Sequence, residues 1–351
     1  MGQRRRYIGA LPPCKELLFS VKIQGFGVAE RRPSAEGVAA AARRLASHVT
    51  RTPLLPLELG DARIWIKAEC LQQGGSFKLR GAMNRLLLLS EAERARGVVA
   101  FSSGNHAQGV AIAAKRLGIA ATIVMPADAP AVKRDATLAA GARIVPYDRA
   151  TESREEIGAR IAREQGSALV PSFDDVDVIE GQGSAGIEIA EQLGASPDTV
   201  LVPCGGGGLS AGIALALPDA QIMTVEPCGW DDMARSIAAG EPVPVIEPAP
   251  PTRCDALQTK LVSPLTLDAL RDRGARGIAV TEGEIETAMA FAMRQLRIVA
   301  EPGGSVALAA VLAGKAGPIS DRTVVVVSGG NVDPALYAEI LAANQAAPAT
   351  R

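Results

Sequence analysis

The stretch Gly74-Gly75-Ser76-Phe77-Lys78 places a lysine directly after an aromatic ring and a glycine pair. Such a lysine can form a Schiff base if its amine is partly desolvated and loses its proton near neutral pH. The plainer reading is a solvated surface amine. Ser102-Ser103-Gly104-Asn105-His106 gathers short polar side chains ahead of an alanine-rich helical stretch. It reads as a helix cap or as an anion site in which amides and hydroxyls hold a carboxylate. Gly205-Gly206-Gly207-Gly208 carries a large entropic penalty on ordering. A phosphate cradled by backbone N–H groups at a helix N-terminus is a reason to bring backbone that close. Gly206, Gly208 and Ala211 also satisfy G-x-G-x-x-A, with Glu226 at the end of the next strand. An NAD-dependent oxidoreductase therefore stands as an alternative. Ser328-Gly329-Gly330-Asn331 is a fourth polar, glycine-rich turn, uninformative alone.

All four loops follow apolar runs. Strands are expected at Ile64–Lys67, Val98–Phe101, Thr122–Met125, Arg143–Val145, Thr199–Val202, Ile222–Val225, Gly277–Val280 and Thr323–Val327. Helices are expected at Phe77–Leu89, Ala107–Leu117, Ala131–Ala140, Glu152–Gln165, Gly183–Leu193, Leu209–Leu217 and Glu282–Arg294. Thr281 and Glu284 form a capping box, and Gly118 and Gly141 stand as helix-ending glycines. The alternation implies parallel sheets covered on both faces, with ligands at the carboxyl ends of the strands. Glu241–Thr252 is proline-rich and reads as an excursion between helices.

Composition narrows the classes. The 351 residues include 37 Lys+Arg and 38 Asp+Glu, for a net charge of -1. That balance leaves no broad basic face for nucleic acid or an anionic membrane. Aromatics at 3% offer no base-stacking platform. No apolar run reaches the roughly 18 residues of a membrane span, so a soluble protein is expected. Five cysteines with no C-x-x-C pair fit reduced thiols in a cytoplasm, and two histidines are too few for a His-based metal centre. Residues 1–33 read as a disordered extension or a misplaced start, because no uninterrupted apolar signal segment is present.

Taken together, Ser76-Phe77-Lys78-Leu79-Arg80-Gly81-Ala82, Ser102-Ser103-Gly104-Asn105-His106-Ala107-Gln108-Gly109, the tetraglycine and Ser328-Gly329-Gly330-Asn331, in that order, resemble the fold-type-II pyridoxal-phosphate enzymes of the threonine/serine dehydratase and serine racemase branch. Gly181-Gln182-Gly183-Ser184 and Glu301-Pro302-Gly303-Gly304 match further stretches. The resemblance spans about Arg51 to Asp333. It implies an α/β fold with two open, twisted, mostly parallel sheets, of the tryptophan synthase β type. Residues 34–96 and 172–351 would form a large cofactor domain and 97–171 a small, mobile one. It further implies a homodimer and a small hydroxy amino acid as substrate.

Roles are carried over by position. Lys78 would form the Schiff base and later take the α-proton. Phe77 would pack beside the cofactor ring, Asn105 would bond its 3-oxygen, and Gly205, Gly206, Gly207 and Gly208 would hold its phosphate. Ser328 would face the pyridine nitrogen, leaving it unprotonated, which favours β-elimination over transamination. Ser102, Asn105, His106, Arg154 and Thr259 would contact the substrate carboxylate. Ser103, alanine in many dedicated threonine dehydratases, would be a second proton donor, as racemisation requires, or simply line the pocket. Glu226, the Trp230 carbonyl and Asp232 resemble a Mg²⁺ or Ca²⁺ site; a solvated acidic helix start is the alternative. Ala256 and Gln258 depart from the family's usual glycine and basic residue, which puts the preferred side chain in doubt. No C-terminal regulatory domain is expected in the eighteen residues after Asp333. The implied activity is an L-threonine/L-serine ammonia-lyase, with serine racemase or 3-hydroxyaspartate dehydratase as alternatives.

Overall fold

The structure is a computed structural model that describes residues 31–129 and 131–344. The expected extension over 1–33 therefore lies, up to residue 30, outside the described residues. The strands are β1 (Leu54–Leu59), β2 (Ala62–Ala68), β3 (Val98–Phe101), β4 (Ala121–Pro126), β5 (Arg143–Tyr147), β6 (Ala168–Leu169), β7 (Thr199–Pro203), β8 (Gln221–Pro227), β9 (Arg276–Val280) and β10 (Thr323–Val327). They form a six-stranded sheet in the order β1-β2-β10-β7-β8-β9 and a four-stranded sheet in the order β5-β4-β3-β6. Every pairing is parallel except β1 with β2. The expected parallel α/β architecture is what forms.

All eight expected strands are present, two with the expected bounds and six longer by one to three residues. Two strands carry no clear sequence signal. β1 includes Pro56 and pairs only with β2, and a sheet edge is where proline is tolerated. β6 is two residues long. The expected helix Gly183–Leu193 is corrected to Val176–Leu193, because Asp175 caps it by accepting from the Val178 amide. Its glycines are there for packing. A Cβ on Gly183 would lie 2.6 Å from the Gly212 carbonyl oxygen of the neighbouring helix Gly208–Ala216. The Thr281/Glu284 capping box forms, and Gly118 ends its helix at φ 66°.

A buried ionic network joins the two sides of this frame. Arg80, on the helix Lys78–Leu87, is fully buried. Its guanidinium donates to both Glu69 oxygens at 2.8 Å and to both Glu188 oxygens at 2.8 Å. Glu188 also accepts from Lys67 of β2 at 2.6 Å, and Lys67 donates further to Gln192 and to the Thr52 carbonyl. Planar, bidentate geometry satisfies four carboxylate oxygens at once, the condition under which a buried ion pair is tolerated. Removing one partner leaves a charge stranded. Arg80→Met is expected to lower the unfolding free energy by about 3–5 kcal/mol, read as a lower urea midpoint at unchanged slope. Arg63→Met, at the exposed pair with Glu58, should cost less than about 1 kcal/mol in the same experiment.

Candidate active site

The four loops singled out in the sequence leave the carboxyl ends of β2, β3, β7 and β10. Because β2 and β10 are neighbours, their loops emerge side by side and are stitched together. Phe77 N–H donates to the Ser328 carbonyl at 3.1 Å, Gly330 N–H to the Gly75 carbonyl at 2.8 Å, and Ser76 bridges Gly329. Lys78 follows at once as the first residue of its helix.

These loops line one cleft of about 540 Å³, counting the space open to solvent, and all eight residues expected to hold the cofactor are in its wall: Phe77, Lys78, Asn105, the four glycines and Ser328. Lys78 Nζ lies 5.1 Å from the Phe77 ring centre and donates to the Ser172 carbonyl at 2.9 Å. Burial lowers its pKa from 10.5 to about 8. Around pH 7 roughly a tenth of the amine is then neutral, against less than a thousandth for an ordinary lysine. The surface-amine reading is set aside.

The glycine run is needed twice over. Gly207 sits at φ 85°, in the left-handed region, as it turns into the helix Gly208–Ala216. At Gly206 a Cβ would fall 2.3 Å from the Phe173 ring. The loop thus offers backbone N–H groups at the positive end of a nine-residue helix, suited to a phosphate. A dinucleotide reading would need Glu226 free for a ribose. Instead Glu226 is fully buried, and both its oxygens accept helix amides, from Met233 and Ala234 at 2.9 Å.

Asn105 and Thr259, expected on the substrate side, line the cleft. Ser102, Ser103, His106 and Arg154 lie outside that lining. Ser102 Oγ accepts the Gly104 amide, a local turn. His106 is buried, with Nε2 against the Val170 carbonyl at 2.8 Å, so Nε2 carries the proton. Burial, then the Lys78 charge, push its pKa down to about 3, and Nδ1 is buried without a partner. Arg154 opens the helix Arg154–Gln165 on the surface, pairs with Glu155 and lies over the Phe101 ring.

Ser172, Phe173 and Glu301 also line the cleft and were not assigned from sequence. Ser172 and Phe173 sit on a segment with no motif of its own. Glu301, buried, accepts from Asn105 Nδ2 at 2.6 Å. Burial, reinforced by Asp255, raises its pKa to about 8. Glu301 stands in the stretch Glu301-Pro302-Gly303-Gly304 that carries the resemblance, directly before the proline that opens its helix, but that pattern gave its side chain no role.

Outside the cleft, both Asp232 carboxylate oxygens are buried without a partner, and its pKa is raised to about 7 by burial. Glu226 lies close enough that the Asp232 charge opposes its own. Among the described residues no cluster of three or more His, Cys, Asp or Glu side chains could hold a metal. Any cation here would rely on two carboxylates, backbone oxygen and water. No helix of the described residues is long and apolar enough to cross a membrane.

Comparison with known proteins bears on the whole site. A family model described as "Pyridoxal-phosphate dependent enzyme" matches residues 45–330. The L-threo-3-hydroxyaspartate ammonia-lyase of Pseudomonas sp is 44% identical over 309 residues, 86% of this chain and 96% of that protein. Among solved structures, maize serine racemase superposes with a TM-score of 0.82 at 35% identity, over 90% of this chain and 98% of that one. A threonine deaminase from T.th. gives 0.79 at 41%, over 86% and 99%. Residues 45–330 contain every residue that lines the cleft, and this chain belongs to the pyridoxal-phosphate-dependent enzyme family.

Proposed function

We propose that this chain is a pyridoxal-phosphate-dependent ammonia-lyase of β-hydroxy α-amino acids. Its candidate substrates are L-threo-3-hydroxyaspartate, L-threonine and L-serine. The observation that carries the reading is Lys78, whose depressed amine shares one cleft with the amide-lined glycine run. The cofactor, when bound, supplies an electron sink for the bond to the substrate's α-carbon. Lys78 anchors it and, as a neutral amine, takes up the α-proton at Nζ. The four glycines and the helix they open hold its phosphate, Phe77 flanks its ring, and Asn105 offers an amide to its ring oxygen. Ser328, a neutral side chain, leaves the ring nitrogen without a counter-charge. Loss of the β-hydroxyl as water, then hydrolysis that returns the water, yields a 2-oxo acid and ammonia. Thr259 and Asn105, with Ser102 on the loop just outside the lining, are the carboxylate side of our assignment; His106, whose free Nδ1 only accepts, could join only through its backbone N–H, and Arg154 would have to leave Glu155.

Relatives of all three names span nearly the whole chain, so substrate rank is a matter for assay. L-threo-3-hydroxyaspartate is first in line, on the identity to the Pseudomonas enzyme. Serine racemisation is the second reading; Ser103, two residues before Asn105 and outside the cleft lining, would have to turn into the cleft to serve it.

We further assign Glu226, Asp232 and the Trp230 carbonyl to a Mg²⁺ or Ca²⁺ ion, the identity left to the assay. Two unpartnered carboxylate oxygens in a buried site suit a hard cation, and Glu226 keeps lone pairs beyond those given to the helix. A homodimer and a cytoplasmic setting complete the assignment. Exposed Leu71, Met293 and Val299 offer apolar surface, and Cys70, Cys204, Cys228 and Cys254 are free thiols.

Four outcomes test this reading. The purified protein should carry a chromophore that borohydride fixes, absent in Lys78→Ala, whose turnover should fall at least about 10³-fold. L-threo-3-hydroxyaspartate, L-threonine and L-serine, assayed for 2-oxo acid and ammonia, should give product with at least one. D-serine lost in Ser103→Ala, with pyruvate retained, would move the protein to the racemases. Mg²⁺ or Ca²⁺ should raise the melting temperature of the wild type and not of Asp232→Asn; equal shifts remove the cation assignment.

A further inference from the structure

Asn105 is held at both ends of its amide, and the chemistry of its partners fixes which way round. The chain of obligations starts at the Gly74 carbonyl, which can only accept. Asn331 Nδ2 donates to it at 2.8 Å, so that atom is the nitrogen. The same Nδ2 donates to Asn105 Oδ1 at 2.8 Å, which makes that atom the oxygen. Asn105 Nδ2 therefore faces Glu301 Oε1, at 2.6 Å. One Nδ2 hydrogen goes to Glu301, and the second is the amide's remaining donor, on a side chain in the cleft wall. Glu301 is pinned in turn: its backbone N–H donates to the Gly329 carbonyl, and a Cβ on Gly329 would lie 2.2 Å from its Oε1.

We propose that Glu301 is a positioning residue for the cofactor ring. It holds the Asn105 amide so that an N–H faces the cleft, and its own protonation state is read out by the bound cofactor through that amide. This rests on the pyridoxal-phosphate assignment of the cleft. The physical link is short. An ionised Glu301 accepts only and polarises the Asn105 N–H; a protonated one has a hydrogen of its own to give and polarises the amide less.

The groups that face Glu301 set where the change occurs. Burial and the Asp255 carboxylate favour its neutral form, while Asn105, Lys133 and the Asn331 backbone amide favour the charged one. The thiols of Cys70 and Cys254 also feel its charge and are themselves held up, Cys70 at about 12 and Cys254 higher still, so both are neutral in the working range. Glu301 therefore holds its proton at pH 7 and releases it as the pH rises through about 8. Asp255 is half-exposed and paired with Lys133, outside the fold's core, so it can be changed without disturbing the cleft wall.

The experiment is a pH titration of the holoenzyme's cofactor absorption between about pH 6 and 10, in wild type, Glu301→Gln and Asp255→Asn. Glutamine keeps an acceptor for Asn105 but cannot titrate, so the wild-type transition near pH 8 should vanish in E301Q. Cofactor affinity should stay within about threefold, whereas Glu301→Leu, which strands the Asn105 N–H, should weaken it about 10-fold or more. Asp255→Asn removes a negative neighbour and should move the transition to lower pH. A residue with only a structural role would lower the melting temperature and leave the midpoint in place. The same midpoint in E301Q as in the wild type overturns the proposal. So does an unmoved midpoint in D255N, which decides the matter should E301Q not fold. A wild type with no cofactor absorption removes the cleft's assignment and this inference together, whereas a wild-type chromophore unaffected by E301Q removes only the inference.

Discussion

The Arg80 network is the constraint on which the site depends. A guanidinium with no exposed surface must satisfy its donors inside the protein, and here it does so through Glu69 and Glu188 together. Glu69 follows β2, Glu188 lies on the helix Val176–Leu193, and Arg80 is two residues past Lys78. Displacing the lysine's helix by about an ångström would break several charge-assisted bonds in a low dielectric at once. Arg80 thus fixes the start of that helix from one side, while the clasp between residues 74–77 and 328–331 fixes it from the other. Lys78 is held in place largely by bonds it does not itself make, and its amine, in no ion pair among the described residues, hydrogen-bonds only the Ser172 carbonyl.

The same division explains what the sequence disclosed. Strands β3 and β10 were legible to the residue, because a parallel strand buried on both faces is a run of valine and its like between polar turns. Strand β1 was not, since Pro56 contradicts the pattern of a central strand and only its edge position excuses it. The residues assigned to the cofactor, which share one cleft, were legible as a group because their types are uncommon in combination and because they share loops. Glu301, Ser172 and Phe173 were not. Each reaches the cleft through tertiary packing: Ser172 and Phe173 sit in unremarkable coil, and Glu301 lies in a stretch that carries the family resemblance without telling what its side chain bonds. Arg154 shows the converse: its position matched a family pattern, while its side chain lies at the surface beside Glu155.

The Glu226–Asp232 stretch is instructive because two readings competed for one residue. As a ribose ligand, Glu226 would have to reach a solvent-facing ligand at a strand end. It is instead enclosed, capping the helix Asp232–Ala239 with both oxygens. Asp232, at the start of that helix, is left with a buried carboxyl and nothing to bond it. Burying an ionised carboxylate unpaired costs several kcal/mol, so such a group is neutralised by a proton or by a cation. The same argument disfavours the solvated acidic helix start, because a solvated carboxylate would not be buried.

The electrostatics in and beside the cleft follow one rule: burial shifts each titratable side chain toward its neutral form. Burial lowers Lys78 to about 8 and His106 to about 3 and raises Glu301 to about 8. Ser328, also in the lining, is neutral. A low-dielectric cleft with full charges on its walls would bind counter-ions or collapse onto its own ion pairs. This one instead presents dipoles, the amides of the glycine run and of Asn105, which stay fixed whether or not a ligand is present. An anionic cofactor then brings the dominant charge into a site already oriented to receive it. Small changes in proton occupancy at Lys78 and Glu301 become the main variable left for the chemistry to use.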